Sequence, residues 1–207
     1  MKVLCLISNG IDSPVAAYVM SQVGAELVLL HMDNRPYADD GAIEVVKMNA
    51  ARLREVTGQP VPLYVASHGP TQASIRDSCD PGYQCVMCKR AMQRTARELA
   101  RRLGCVGIVM GDSLGQVASQ TLRNIKFENH DLDFPVLRPL IGLDKLEIVD
   151  ISERIGTYGI SITPVCGCSL VPQRPITEAS LVKLQGYDEA SNLRENYERA
   201  AEEAVLI

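Results

Sequence analysis

Val3-Leu4-Cys5-Leu6-Ile7 runs directly into Ser8-Asn9-Gly10-Ile11-Asp12-Ser13, and then into Pro14-Val15-Ala16-Ala17. Five continuous apolar residues read as a strand covered on both faces. Pro14 presets φ where a first helical turn needs no amide donor, so a helix is expected to follow. The turn between them is of a phosphate-binding kind. Its amides and the helix N-terminus converge on one spot, and the helix dipole favours an anion there. Gly10 and Asn9 are expected to tolerate left-handed backbone, and Ser8 and Ser13 to donate hydroxyls. Asp12 would repel a phosphate on its own, so its expected task is to hold Mg2+ or a substrate group. The bland alternative is a helix start capped by Asp12 or Ser13. The turn lacks the Gly-Lys-Ser/Thr ending of P-loop NTPases, which disfavours cleavage between the β- and γ-phosphates.

Outward from this turn the alternation continues. Glu26–His31, Val61–Val65 and Val106–Met110 are further short apolar runs, read as strands. Ile43, Val46, Ala50 and Leu53 recur at helical spacing, as do Met92, Ala96, Leu99 and Leu103 before a stop at Gly104. Leu143–Ile155 predicts another helix, and Ala190–Ala204 a charged, exposed terminal one. The fold class expected is α/β, a mostly parallel sheet with helices on both faces. Residues 1–178 are read as the catalytic domain, and 179–207 as a helical extension of it. Ser67–Tyr83 shows no periodicity and is read as a long functional loop. Thr163–Pro175, with three prolines and Cys166-Gly167-Cys168, is a second loop.

The chain has 207 residues, 46% of them apolar, and a formal net charge of −4. That size suits one α/β domain with a substantial core. The acidic balance argues against a surface that grips nucleic acid throughout, and two Phe with no Trp offer little for stacking on single-stranded bases. The N-terminus is too short for a signal-peptide core, and no apolar stretch approaches membrane-spanning length. A cytoplasmic protein that makes no use of a membrane is therefore expected. Its seven cysteines are then not a disulfide framework.

The hexapeptide Ser8–Ser13 resembles the Ser-Gly-Gly-x-Asp-Ser of the PP-loop ATP pyrophosphatases, Rossmann-like enzymes, with Asn9 replacing one glycine. Four more stretches narrow the resemblance: Ser13-Pro14-Val15-Ala16, Gly111-Asp112-Ser113-Leu114-Gly115-Gln116-Val117-Ala118-Ser119-Gln120-Thr121, Pro135-Val136-Leu137-Arg138-Pro139-Leu140-Ile141-Gly142-Leu143-Asp144-Lys145 and Ile155-Gly156-Thr157-Tyr158. Together they are similar to the catalytic domain of the tRNA 4-thiouridine synthases, or tRNA sulfurtransferases, from about Val3 to Thr177. The resemblance implies an ATP-dependent enzyme that adenylates a uridine oxygen of tRNA and replaces it with sulfur, releasing AMP and pyrophosphate. ATP would sit on Ser8, Asn9, Gly10, Ile11, Asp12, Ser13, Gly111, Gln116 and Gln120, with Lys145 on the phosphates or the adenylate. Gln116 and Gln120, four apart, are expected on one helix face. Arg138 either joins Lys145 or pairs with Asp144, and His31 is given no role.

Cys85-Val86-Met87-Cys88 brings two sulfurs to the mouth of a helix, where the dipole favours thiolates. A cysteine from the later loop makes three soft ligands, which suit a [4Fe–4S] cluster. A fourth cysteine would suit structural zinc, a metal-free redox pair is a third possibility, and spacing alone does not decide among them; the resemblance ranks the cluster first, redox or persulfide chemistry second and zinc third. Similarity to archaeal-type members without a rhodanese domain implies ligation by Cys85, Cys88 and Cys168, or Cys166 in its place. The sulfur donor is then sulfide on the cluster or a persulfide on Cys166 or Cys168. Full-length members carry an RNA-binding module before this domain, and here the first strand starts at residue 3, so that module is expected to be absent. Lys89, Arg90, Arg94, Arg97, Arg101 and Arg102 form the only basic run, read as a tRNA-facing stripe, with the first four foremost, or as a solvated helix face. A separate RNA-binding subunit or a homodimer would complete the grip. Two other functions are weighed: a PP-loop enzyme activating a small molecule or carrier protein, and a non-catalytic nucleotide and Cys-metal binding module.

Overall fold

The computed structural model describes residues 1–207. The opening apolar run is β1 (Lys2–Ile7), followed by α1 (Asp12–Gln22), β2 (Glu26–Asp33), α2 (Gly41–Thr57), β3 (Leu63–Ser67), α3 (Gly69–Ser78) and α4 (Gln84–Arg102). The chain continues through β4 (Ile108–Val109), α5 (Leu122–Asn129), β5 (Val136–Leu137), α6 (Lys145–Ile155) and α7 (Tyr158–Ser161). It ends in α8 (Leu184–Ala190), α9 (Leu193–Glu202) and β6 (Val205–Leu206). The sheet order is β5-β4-β1-β2-β3-β6, parallel throughout except for β6, which runs antiparallel to β3.

Period-two alternation along β1 sends its side chains to two separate cores. Val3, Cys5 and Ile7 pack with Val15 and Ala16 of α1, Val46 and Leu53 of α2, and Ile148 of α6. Leu4 and Leu6 face Ala96, Leu99 and Ala100 of α4 on the other side. Both faces of the sheet are thus covered, which is why the strands read as continuous apolar runs. A third cluster, including Ile75, Met87, Phe127, Leu193 and Tyr197, ties α3, α4 and α5 to the C-terminal helices.

Several expectations are corrected. Ser67–Tyr83 is not a loop: Gly69–Ser78 is helical, with Pro70 in its first turn and Thr71, Gln72 and Ile75 buried. Its buried face is largely polar, so hydrophobic periodicity does not reveal it. β3 begins two residues later than expected, after Val61 in left-handed conformation at φ +40°. β4 keeps only two paired residues, and the edge strands β5 and β6 are too short to stand out as apolar runs. α9 is not simply exposed, because Leu193, Tyr197, Ala200 and Ala201 are buried. The Thr163–Pro175 loop carries no helix or strand, as expected, and Ser169 N–H pins it to the Tyr37 carbonyl at 2.8 Å. No helix is long and apolar enough to cross a membrane.

Candidate active site

α1 begins at the carboxyl end of β1, the edge where open α/β sheets bind ligands. No side chain caps its N-terminus, so its first amides are left without an intramolecular acceptor. The turn is shaped by its serines. Ser8 N–H donates to Ser13 Oγ at 2.9 Å, the two hydroxyls lie 3.1 Å apart, and Gly10 N–H reaches Ser8 Oγ at 3.3 Å. Neither Asn9 nor Gly10 takes a positive φ, contrary to expectation. Gly111 is the glycine that geometry demands: a Cβ there would lie 2.9 Å from Ser13 N and 3.0 Å from the Asp12 carbonyl carbon. It lets the segment after β4 lie against the phosphate loop.

Lys145 opens α6, where Asp144 and Glu147 form a capping box that fixes the helix start. Its ammonium reaches across to the Asp12 carboxylate at the first residue of α1. Arg138 does not pair with Asp144, which is occupied as the cap. Instead it donates to Asp112 Oδ2 at 2.9 Å, while Lys89 Nζ donates to Asp112 Oδ1 at 2.8 Å. Burial works against the charges of Lys89 and Asp112. Mutual attraction outweighs it, holding the lysine above its usual range and the aspartate below its own.

Glu128 lies fully buried beside this cluster. Its Oε1 has no partner, because Asp112 has taken both cations. Burial, reinforced by Asp112, pushes its carboxyl up to about 8 against the nearby Lys89 and Arg138. The unfolded chain loses this proton near the ordinary value of 4.5, whereas the native carboxyl keeps it to about 8. Native stability therefore falls as pH rises through that window. Glu128→Gln cannot ionise, so its urea midpoint should vary less between pH 5 and pH 8. At pH 8 the unfolding free energy of Glu128→Gln should exceed that of the wild type by on the order of a few kcal/mol. Parallel pH profiles for the two proteins would disprove this.

The cysteines fall into two groups. Cys85 and Cys88 stand in the first two turns of α4, and Cys168 comes near them, while Cys166 is exposed. Gln72 Nε2 lies 3.2 Å from Cys88 Sγ and 4.0 Å from Cys168 Sγ. The helix terminus does not by itself keep these thiols ionised. Burial raises Cys88 well above the thiol range, with Cys85 and Cys168 adding to the effect; burial and Cys168 raise Cys85. No set of three His, Cys, Asp or Glu side chains stands ready to hold a single metal ion. The donor chemistry of three converging thiols nonetheless fits a multi-iron sulfur group.

Two cavities flank the phosphate loop. One, of about 220 Å3, is lined by Ser8, Gly10, Asp12, Ser13, Lys89, Gly111, Asp112 and Gln120. The other, of about 150 Å3, is lined by Ser8, Asn9, His31, Asp33, Cys166 and Cys168 among others. A larger groove of about 830 Å3 along α9 contains none of the loop residues. His31 is buried in β2 with Nδ1 3.1 Å from the Ile7 carbonyl oxygen. Gln116 and Gln120 share no helix face, because Gly115 is left-handed at φ +75° and residues 111–121 form a loop. Gln120 is buried against the first cavity with Oε1 unpartnered, while Gln116 is not among that cavity's lining residues.

The basic stripe is also corrected. Arg90 is buried, bridging Asp188 at 2.5 Å and the His130 carbonyl at 2.7 Å. Arg94 is buried on the Glu128 and His130 carbonyls. Lys89 turns to Asp112, and Arg97 is half-buried against Glu98 and Tyr197. These cations serve internal partners. His68, Gln72 and Glu128 belong to the site with no motif or apolar period to announce them in the sequence. The acid directly after β4, Asp112, was the one signal available for the charge cluster.

An open helix N-terminus at the carboxyl edge of a parallel sheet, with a lysine brought across to its first acid, defines an α/β phosphate-loop protein of the PP-loop type. The chain belongs to the ThiI family: the family model described as thiamine biosynthesis protein (ThiI) matches residues 1–193. A probable tRNA sulfurtransferase of Methanobrevibacter smithii is 42% identical over 200 residues, covering 96% of this chain and 52% of that protein. A crystal structure of a 4-thiouridine synthetase–RNA complex with bound ATP superposes with TM-score 0.94 at 33% identity, over all of this chain and 54% of the other. NMN synthetase from Francisella tularensis shares the fold at TM-score 0.56 and 14% identity, over 95% of this chain and 85% of its own. The chain spans about half the length of the curated relatives it matches.

Proposed function

We propose that this chain is the catalytic half of an ATP-dependent tRNA sulfurtransferase that forms 4-thiouridine. One observation carries the reading: a single cavity is lined by the phosphate loop at Ser8 and Asn9 and by Cys166 and Cys168. The chamber that holds the two loop cysteines is therefore bordered by the phosphate loop itself. The family membership and the 4-thiouridine synthetase likeness support it.

The α1 amides bind the pyrophosphate portion of ATP, and Asp12 aims Lys145 at the α-phosphate. The uridine C4 oxygen forms a bond to the α-phosphorus as the bond to pyrophosphate breaks. Lys145 stabilises the charge that develops on the phosphoryl oxygens. A sulfur nucleophile from the Cys168 side then forms the C–S bond, and AMP leaves with the C–O electrons. Asp112 has both carboxylate oxygens taken by Lys89 and Arg138, whereas Asp12 gives Lys145 only Oδ1, so Asp12 Oδ2 is the oxygen placed to hold Mg2+ beside the phosphates. Cys85, Cys88 and Cys168 would hold a [4Fe–4S] cluster, whose open iron supplies bound sulfide when present. The tRNA grip is assigned to an RNA-binding subunit or module, or to a second copy, since Arg90 and Arg94 are committed internally.

Anaerobic incubation with ATP, sulfide and bulk tRNA should release pyrophosphate and AMP in step with 4-thiouridine. Release that ignores tRNA would favour the second reading, activation of a small molecule or carrier protein, which the buried arginines also suit. No release would overturn both readings.

A further inference from the structure

The cysteine sulfurs are met by two buried donors that the chemistry above leaves unused. Gln72 Nε2, besides facing Cys88 and Cys168, donates to Asn34 Oδ1 at 2.9 Å. Its orientation is set from behind, because Gln84 Nε2 donates to Gln72 Oε1 at 2.8 Å. Turning the amide over would aim its oxygen at Asn34 Oδ1, another acceptor, and break the Gln84 bond. Gln72 and Gln84 are 2% and 6% exposed, so neither amide has water as an alternative.

His68, immediately before α3, is fully buried with Nε2 3.4 Å from Cys88 Sγ and no partner at Nδ1. A neutral imidazole carries one proton. Placed on Nδ1 it would meet nothing, whereas on Nε2 it meets the sulfur. His68 and Gln72 are four residues apart and approach Cys88 from the same segment, the one without hydrophobic periodicity. A buried polar group without a partner is costly, so this polar face is retained for what it touches. Hydrogen bonds to sulfur in a low-dielectric site favour its anionic form and tune whatever the sulfur binds.

We propose that His68 and Gln72 are positioning residues that both donate hydrogen bonds to Cys88, with Gln72 Nε2 also facing Cys168, and so orient these sulfurs and tune the group they carry. Gln84 sets the direction of the Gln72 donor. The inference rests on the assignment of Cys85, Cys88 and Cys168 as ligands.

Two measurements on the full chain test it. In the metal-free protein, 15N–1H correlation of the His68 ring should show the proton on Nε2; a proton on Nδ1 overturns the donor role. After anaerobic reconstitution with iron and sulfide, Gln72→Leu and His68→Phe should shift the cluster midpoint potential to more negative values, because hydrogen bonds to sulfur raise it. Gln72→Glu tests the amide without changing its shape and should shift the potential in the same direction. His68→Gln, which keeps a donor, should recover most of the wild-type value. Circular dichroism of each metal-free variant confirms folding. Unchanged potentials in Gln72→Leu and His68→Phe at wild-type iron content overturn the proposal. A wild-type protein that takes up no iron sinks the ligand assignment, and the ring tautomer then decides the donor claim alone.

Discussion

Asp112→Ala is expected to destabilise the protein by about 3–5 kcal/mol, the largest single-residue loss in the charge cluster. Asp112 is 3% exposed and bridges Lys89 at 2.8 Å to Arg138 at 2.9 Å. Removing its carboxylate leaves two cations facing each other in a region with little water, which is the costly way to break a buried ion pair. Asp112→Asn keeps an acceptor for one of them and should lose less. The wild-type advantage also has a pH signature. Lys89 and Arg138 hold the Asp112 carboxyl below its ordinary 3.8. The stabilisation is therefore present above that value and is lost as pH falls through the depressed native value. Glu128 supplies an internal check. With Asp112 gone, its carboxyl becomes the nearest anion to both cations, so Glu128→Gln, stabilising at pH 8 in the wild-type background, should become destabilising in the Asp112→Ala background. Urea midpoints at constant slope measure these effects. An Asp112→Ala loss below 1 kcal/mol would show that water or Glu128 already satisfies the cations.

Lys145→Met is expected to behave in the opposite way, with a rate loss of about 10²–10³-fold in pyrophosphate release and little change in stability. The pair with Asp12 is partly exposed, with side-chain exposures of 44% and 27%, so as a structural bridge it contributes no more than about 1 kcal/mol. Its value lies in placement. The α6 capping box fixes the helix start, and Asp12 holds the ammonium at the uncapped end of α1, where phosphate charge would build up. Lys145→Arg keeps the charge but changes its reach, and should retain part of the activity. Single-turnover pyrophosphate release under saturating ATP separates this loss from weaker binding. A Lys145→Met protein within threefold of wild type would remove the lysine from the chemistry, whatever its effect on ATP affinity.

Much of this site was legible before folding, for a physical reason that varies by element. β1 and α1 announce themselves because a strand buried on both faces must be continuously apolar and Pro14 fits a helical first turn. Gly58 and Gly104 end α2 and α4 in left-handed conformations at φ +66° and +69°. Lys145 and Asp12 could be singled out by resemblance, but 133 residues separate them, and only the fold brings them into contact. Asn9 and Gly10 mislead in the other direction. Their residue types suggested a left-handed turn, yet Ser8 and Ser13 close it through hydroxyl bonds without one. Gly111, a hundred residues later, carries the steric requirement.

What the sequence determined by itself is local and one-dimensional: apolar runs, helical periods, stops, and a polar turn between strand and helix. These follow from side-chain spacing and backbone preference, which are written residue by residue. What the tertiary structure decided is partnership. An arginine on a helix has the same spacing whether it faces water, as a tRNA-facing stripe would, or an acid 98 residues away, as Arg90 faces Asp188. A polar helix such as α3 carries no apolar period when the groups its buried face serves are sulfurs and amides. Burial and charge pairing arise between distant segments, so they enter only when the sheet sets those segments side by side.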